Sequence, residues 1–226
     1  MPSDATRATF IRAARGWRRI CGGWAVMLAV LLSLPAQADE ALVTLVQGVV
    51  RVSVGQQPHA PVTPFMKLRA GDRLELADAA RVRLLYGQTG RQETWNGAVV
   101  LQVGAGATTR VSGTAQAEVK QVPSAALTRL ARADDVLADM RTRTGMVVIR
   151  SGGLLEQLRE AESVYRELRA QAADDDVAPE LYLVSALYEL KLYKDIPEVI
   201  EDILCRQPGN PVAAAILENL RGVTGR

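Results

Sequence analysis

Residues 118–133 read EVKQVPSAALTRLARA, and the spacing of apolar residues changes inside them. Before Pro123 apolar residues recur at every second position, which is the pattern of strands with one face buried. After it they recur at every third or fourth, which is the pattern of helices. Pro123-Ser124 suits a helix start, because proline lacks an N–H that the first helical turn would leave unbonded anyway. The spacing therefore predicts an α+β chain in two regions: an antiparallel β-sandwich or barrel, followed by antiparallel helical hairpins.

Working back from this point, alternation runs from Ala41 to about Val122. Val50, Val52 and Val54 are assigned to one face, as are Leu74 with Leu76, Val82 with Leu84 and Tyr86, and Val99 with Leu101 and Val103. The polar residues between them, Arg81 and Arg83 included, are assigned to a solvated face. Turn residues divide the runs at Gly55, Pro58–Pro64, Gly71-Asp72 and Asp78–Ala80. Gly87–Gly90 and Asn96-Gly97 fit hairpins, Asn-Gly being the dipeptide that a type I′ turn favours. Gly104–Ala107 reads as a turn between strands, since it lacks the Lys-Ser/Thr and helix that a phosphate cradle needs. Roughly seven short strands are expected.

Taken in order, Gly48-x-Val50, Gly71-Asp72-x-Leu74 and Ala80-Arg81-Val82-Arg83-Leu84 resemble the FecR domain, a periplasmic β-rich module. The resemblance covers about residues 41–120 and implies a β-domain over 39–122. Where that family has an Asp-Gly hairpin, this chain has Tyr86-Gly87-Gln88-Thr89-Gly90. Some FecR relatives pass an outer-membrane signal to a cytoplasmic sigma factor, which implies a cytoplasmic segment and a spanning helix. Only 19 residues precede the first apolar run here, so the resemblance favours the periplasmic module and leaves the membrane-anchored regulator as the alternative.

Working forward, residues 123–153 form a connecting segment. It holds short helices at ALTRLARA and VLADM, then TGMVVIRSGG, which reads either as a last strand or as an extended linker. The helical region is residues 154–226. Its first helix, Leu154–Ala172, carries Leu155, Leu158, Ala161, Val164, Tyr165 and Leu168 on one side. Three more follow at Pro179–Leu192, Ile196–Arg206 and Pro211–Leu220. Tyr193, Ile196, Ile200, Ile203 and Pro208 resemble the second helix and closing proline of a tetratricopeptide repeat. Ala161, Tyr165 and Leu168 echo Ile196, Ile200 and Ile203 at a shift of 35 residues. Val184, Ile196 and Ile203 stand where that family has small residues, so a plain antiparallel bundle is the alternative. The repeat implies a concave protein-binding face lined by Tyr182, Ser185 and Glu189. Trp95 is a fourth candidate for partner binding: exposed at a hairpin tip it would meet a sugar ring or a protein, buried it would cap the β-core.

The N-terminus sets the expected compartment. Arg7, Arg12, Arg15, Arg18 and Arg19 precede CGGWAVMLAVLLSL, then Pro35 and Ala36-Gln37-Ala38, the order of parts in a secretory signal peptide over residues 1–38. Its apolar run falls short of the roughly 20 residues that span a bilayer. Cleavage after Ala38 would leave Asp39 first and no stable membrane span; an uncleaved anchor is the alternative. Without those residues the basic count falls from 27 to 22 and the acidic from 25 to 24, a formal charge of −2. A nucleic-acid partner is therefore not expected. Cys205 alone remains, in DILCRQP, and reads as a buried small apolar residue.

Catalytic, metal and cofactor sites are not expected either. His59, the one histidine, lies between prolines in a loop and reads as solvated, which leaves neither a metal set nor a nucleophile–base pair. The acidic clusters Asp134-Asp135, Asp174–Asp176 and Glu201-Asp202 flank helices and read as solvated. These readings lead to an expected periplasmic binding or scaffolding protein whose partner is an envelope protein or a surface polymer. An enzyme acting on cell-wall polymers is a further, weaker alternative.

Overall fold

The structure is a computed structural model that describes residues 39–55, 58–142 and 154–224. The expected signal peptide, at 1–38, and the optional strand or linker, at 144–153, lie outside the described residues. The described residues belong to one compact unit.

Among the described residues ten strands precede Pro123: β1 Asp39–Gln47, β2 Val50–Ser53, β3 Ala60–Pro61, β4 Lys67–Arg69, β5 Arg73–Leu76, β6 Arg81–Leu85, β7 Arg91–Asn96, β8 Val99–Val103, β9 Thr108–Gly113 and β10 Glu118–Gln121. They form two antiparallel sheets, sheet A ordered β10-β7-β6-β1-β4 and sheet B ordered β3-β2-β5-β8-β9. Six helices follow among the described residues: α1 Ser124–Leu130, α2 Ala133–Thr142, α3 Leu154–Gln171, α4 Ala178–Glu189, α5 Ile196–Arg206 and α6 Pro211–Thr224. The α+β class and the change of period at Pro123 hold.

The chain passes repeatedly from one sheet to the other, which sets what its turns must do. Gly48 carries it from β1 to β2 with φ +73°, and a Cβ there would stand 3.1 Å from Ala80 Cα. A left-handed turn pressed against backbone leaves room for glycine alone. Asn96-Gly97 does the same between β7 in sheet A and β8 in sheet B, so it is not the hairpin expected from its composition. Gly87–Gly90 does close the β6–β7 hairpin, with Gly90 N–H donating to the Tyr86 carbonyl at 2.8 Å.

Between the sheets lies a dry core in which Val50, Val52, Leu74, Val82, Leu84 and Leu101 are buried, as the alternation predicts. Each such side chain contributes about 1.5–3 kcal/mol by leaving water. Val54, assigned to the same face as Val50, is exposed instead, because β2 ends at Ser53. A second core includes Leu42 and Leu85 from the opposite face of sheet A, with residues from α1 through α6. Sheet A is thus the middle of three layers: sheet B, sheet A, helices.

Within the helical layer α3, α4, α5 and α6 each pack on the next. The described part of the connecting segment, up to residue 142, also belongs to this layer, since α1 packs on α4, and α2 packs on α4 and α6. Asn210 caps α6, its Oδ1 accepting from the N–H groups of Val212 and Ala213 at 3.2 Å. Two expectations fail at the helix surfaces. Leu155 lies on the side assigned to the core of α3 but is 68% exposed, whereas Ala161 and Leu168, further along, are buried. Cys205 is exposed, although Ile203 is buried and Leu204 half-buried just before it in α5.

Candidate functional site

Among the described residues many of the buried polar side chains lie where sheet A meets the helices, around the turn that joins α3 to α4. Glu180, in the first turn of α4, is fully buried. Arg169 of α3 reaches both its carboxylate oxygens at 3.2 Å, and Arg206 of α5 donates from Nε to Oε1 at 3.0 Å. The Tyr165 hydroxyl donates to the same oxygen at 3.3 Å. Burial pushes the Tyr165 phenol up, and the neighbouring negative charge of Glu180 adds to it. One acid with two guanidiniums ties three helices together.

Both arginines also hold the turn itself. Arg169 donates to the carbonyls of Ala173 and Asp176, and Arg206 to that of Asp174. The turn so fixed presents Asp175 and Asp176 to sheet A. Asp175 accepts from Arg83 Nη2 at 2.9 Å and from Arg81 Nη1 at 2.7 Å. Asp176 accepts from Gln92 Nε2 at 2.9 Å through one oxygen and from Ala178 N–H at 3.0 Å through the other. Gln207, just past α5, donates to the carbonyls of Thr44 in β1 and Asp175, both at 2.9 Å. Burial alone would raise the Asp175 carboxyl, but the hydrogen bond and charge of Arg83, with the charge of Arg81, outweigh it and hold it below the usual carboxylate range.

This seam overturns two readings. Arg83 is 3% exposed, not solvated, and its Nε also donates to Thr94 Oγ1 at 3.1 Å. The Asp174–Asp176 run is no solvated cluster either: Asp176 is buried and Asp175 largely so. No family model matches the chain, and neither does a curated protein or a solved structure.

The four candidate partner-binding residues fall in two places. Trp95 turns into the core between the sheets, 5% exposed, and donates from Nε1 to Glu93 Oε2 at 3.1 Å. Of its two alternatives the structure takes the buried one. Glu93 beside it is fully buried and accepts from Arg91 Nε at 2.5 Å and from the Thr108 N–H. Nearby, the Tyr86 and Thr108 hydroxyls lie 2.7 Å apart. Burial is the main force pushing the Tyr86 phenol up.

Tyr182, Ser185 and Glu189 do share a helix face, and α1 and α2 already cover it. Arg129 of α1 donates from Nη1 to the Tyr182 hydroxyl at 2.7 Å and from Nε to Glu189 Oε2 at 3.0 Å. Its guanidinium stands 5.3 Å from the Tyr182 ring centroid, a cation–π distance. Ser185 is buried and donates back to the Leu181 carbonyl at 2.9 Å. Tyr188 is bonded to Asp139 of α2, and Asn219 of α6 donates to the Arg141 carbonyl at 3.0 Å. The face assigned to a partner is therefore closed by the chain's own connecting segment; of the three residues only Glu189 is exposed.

His59 is half-exposed, 3.5 Å from Glu75. No group of three or more His, Cys, Asp or Glu able to hold a metal ion is found among the described residues, and no helix among them is long and apolar enough to cross a membrane.

Proposed function

We propose that the protein is exported to the cell envelope and acts there as a non-catalytic binding or scaffolding body, its β region being a FecR-type module. The observation that carries this reading is the seam. The most deeply buried charged side chains, Glu93, Glu180, Arg83 and Asp176, are bonded to other parts of the same chain. Catalytic groups work the other way, aimed at a cleft with their pKa values tuned for proton transfer. A sheet locked on both faces is a rigid support. Its free surface is the outer side of sheet B, where Arg51, Arg73, Glu75 and Gln102 are exposed. An exposed polar face of this kind suits a surface polymer or an envelope protein, and it takes the place of the helical groove as the partner surface.

The test has two parts. Protein recovered from cells should begin at Asp39; an intact Met1 or Pro2 would sink export by cleavage. A photo-crosslinking residue placed at Arg73 or Gln102 should capture an envelope component in intact cells, and one placed at Tyr182 should capture none. The reverse pattern would return the partner to the helical layer.

A further inference from the structure

The edges of the two sheets are not alike. β3 is two residues long, contains Pro61 and lies between Pro58 and Pro64. β4 presents Lys67 and Arg69, so pairing it with its own copy would set cation against cation. β9 meets β8 through an irregular register at Val100/Leu101 and carries Arg110. Proline, cations and bulges are the devices by which edge strands avoid pairing with other chains. β10 has no proline, and its register against β7 is regular through all four residues, every one of them exposed.

The backbone of β10 points in known directions. Val122 N–H donates to the Gly90 carbonyl at 2.8 Å, on the β7 side. In an antiparallel ladder direction alternates, so Lys120 and Glu118 also turn their backbone groups to β7. Val119 and Gln121 then turn theirs outward, away from the sheet. On the side chains, Glu118 and Lys120 share one face, 3.5 Å apart, and Val119 occupies the other, 44% exposed.

We propose that β10 pairs antiparallel with β10 of a second copy, about a twofold axis at Val119, so that the two copies of sheet A run on as one. Glu-Val-Lys is its own complement in this register. Val119 exchanges both backbone hydrogen bonds with Val119 of the second copy. Glu118 then lies opposite Lys120 of the second copy, and Lys120 opposite its Glu118. Such an interface is isologous and closes at two chains. Shifting the register by two residues, to centre it on Gln121, would lose both charge pairs. The pairing does not depend on the export reading.

Sedimentation of the protein recovered from cells, over a range of concentration, tests it. The unaltered chain should pass from monomer to dimer. Glu118→Lys and Lys120→Glu each set like charges opposite at two symmetric positions, and each should weaken association by about tenfold or more. Mixing those two variants brings opposite charges back together, so the mixture should associate as tightly as the unaltered chain. Val119→Pro removes an N–H that the β7 ladder does not use, and should abolish the dimer while leaving circular dichroism unchanged. A chain that stays monomeric throughout overturns the proposal, as does a mixture no tighter than its components, or a dimer that survives Val119→Pro.

Discussion

On its inner face sheet A offers Val43, Val82, Leu84 and Trp95 to sheet B; on its outer face the same strands offer Arg83, Gln92 and Thr94, beside Leu42 and Leu85, to the helices. Both faces are dry. The inner one is dry because hydrocarbon meets hydrocarbon, with Glu93 as the exception, satisfied by Arg91, Trp95 and Thr108. The outer one is closed by polar groups that meet partners held in position, Asp175 for Arg83 Nη2 and Asp176 for Gln92, although Arg83 Nη1 stays buried without a hydrogen bond. The first kind of burial tolerates inexact geometry, since dispersion and the hydrophobic effect have little direction. The second kind does not, because a buried charge without its partner costs more than the pair contributes.

The contrast breaks most sharply at Leu84. Leu84→Asp places an unpaired carboxylate in the inner core, at a cost of several kcal/mol, and should unfold the unit as followed by circular dichroism. Because α1–α6 share a core with Leu42 and Leu85, helix and sheet should be lost in one transition. A helical layer that survived the loss of the sheets would separate what is here read as one body. Arg83→Met should cost less, about 3 kcal/mol in urea unfolding, by leaving Asp175 short of its buried partner. Adding Asp175→Asn to Arg83→Met should recover part of that loss. Additive costs in that double-mutant cycle would mean the two side chains are not coupled.

The same contrast explains what the sequence could tell. Alternation reports the dry side of a strand only when the other side is polar and wet. Val82 and Leu84 are readable on that rule, which assigns the alternating Arg81 and Arg83 to water. Nothing local distinguishes an arginine facing solvent from one facing an aspartate 92 residues later. Asp174–Asp176 read as a solvated helix flank for the same reason, and Glu180 gave no sign of lying between Arg169 and Arg206. The helices themselves were legible to within a few residues, since each carries its own periodicity and its own proline or acidic start. Their covering was not. Tyr182, Ser185 and Glu189 recur at helical spacing, but which element lies over them is a tertiary fact, here settled by Arg129 and the apolar side of α2.

Acid sharpens the comparison, because only the outer face depends on a charge on each side. The Asp175 carboxyl is held below its ordinary value, so the folded state binds that proton less readily than the unfolded chain does. The stability it contributes is complete above the unfolded value of about 4 and is lost as pH falls through the folded value below it. Asp175→Asn should therefore flatten the fall in stability below about pH 4 and lower stability at neutral pH, while a volume change in the inner core such as Val82→Ala should lower stability equally at both. An Asp175→Asn variant with the full acid slope would place the sensitivity elsewhere.

The smallest expected effect lies at Tyr182, where α1 closes over α4. Tyr182→Phe keeps the ring, its burial and the cation–π contact with Arg129, and removes one hydroxyl that accepts a hydrogen bond. The guanidinium retains Glu189 at 3.0 Å, so the loss should be about 1 kcal/mol, within reach of urea unfolding. Arg129→Ala removes the hydroxyl's donor, the cation above the ring and the partner of Glu189 together, and should cost more than Tyr182→Phe. If α1 merely rested on α4, both variants would unfold like the unaltered chain, and a crosslinker at Tyr182 would find the face open. A cost that rises from the first variant to the second means that α1 holds this face shut, which leaves the outer side of sheet B and the edge at β10 as the surfaces proposed for partners.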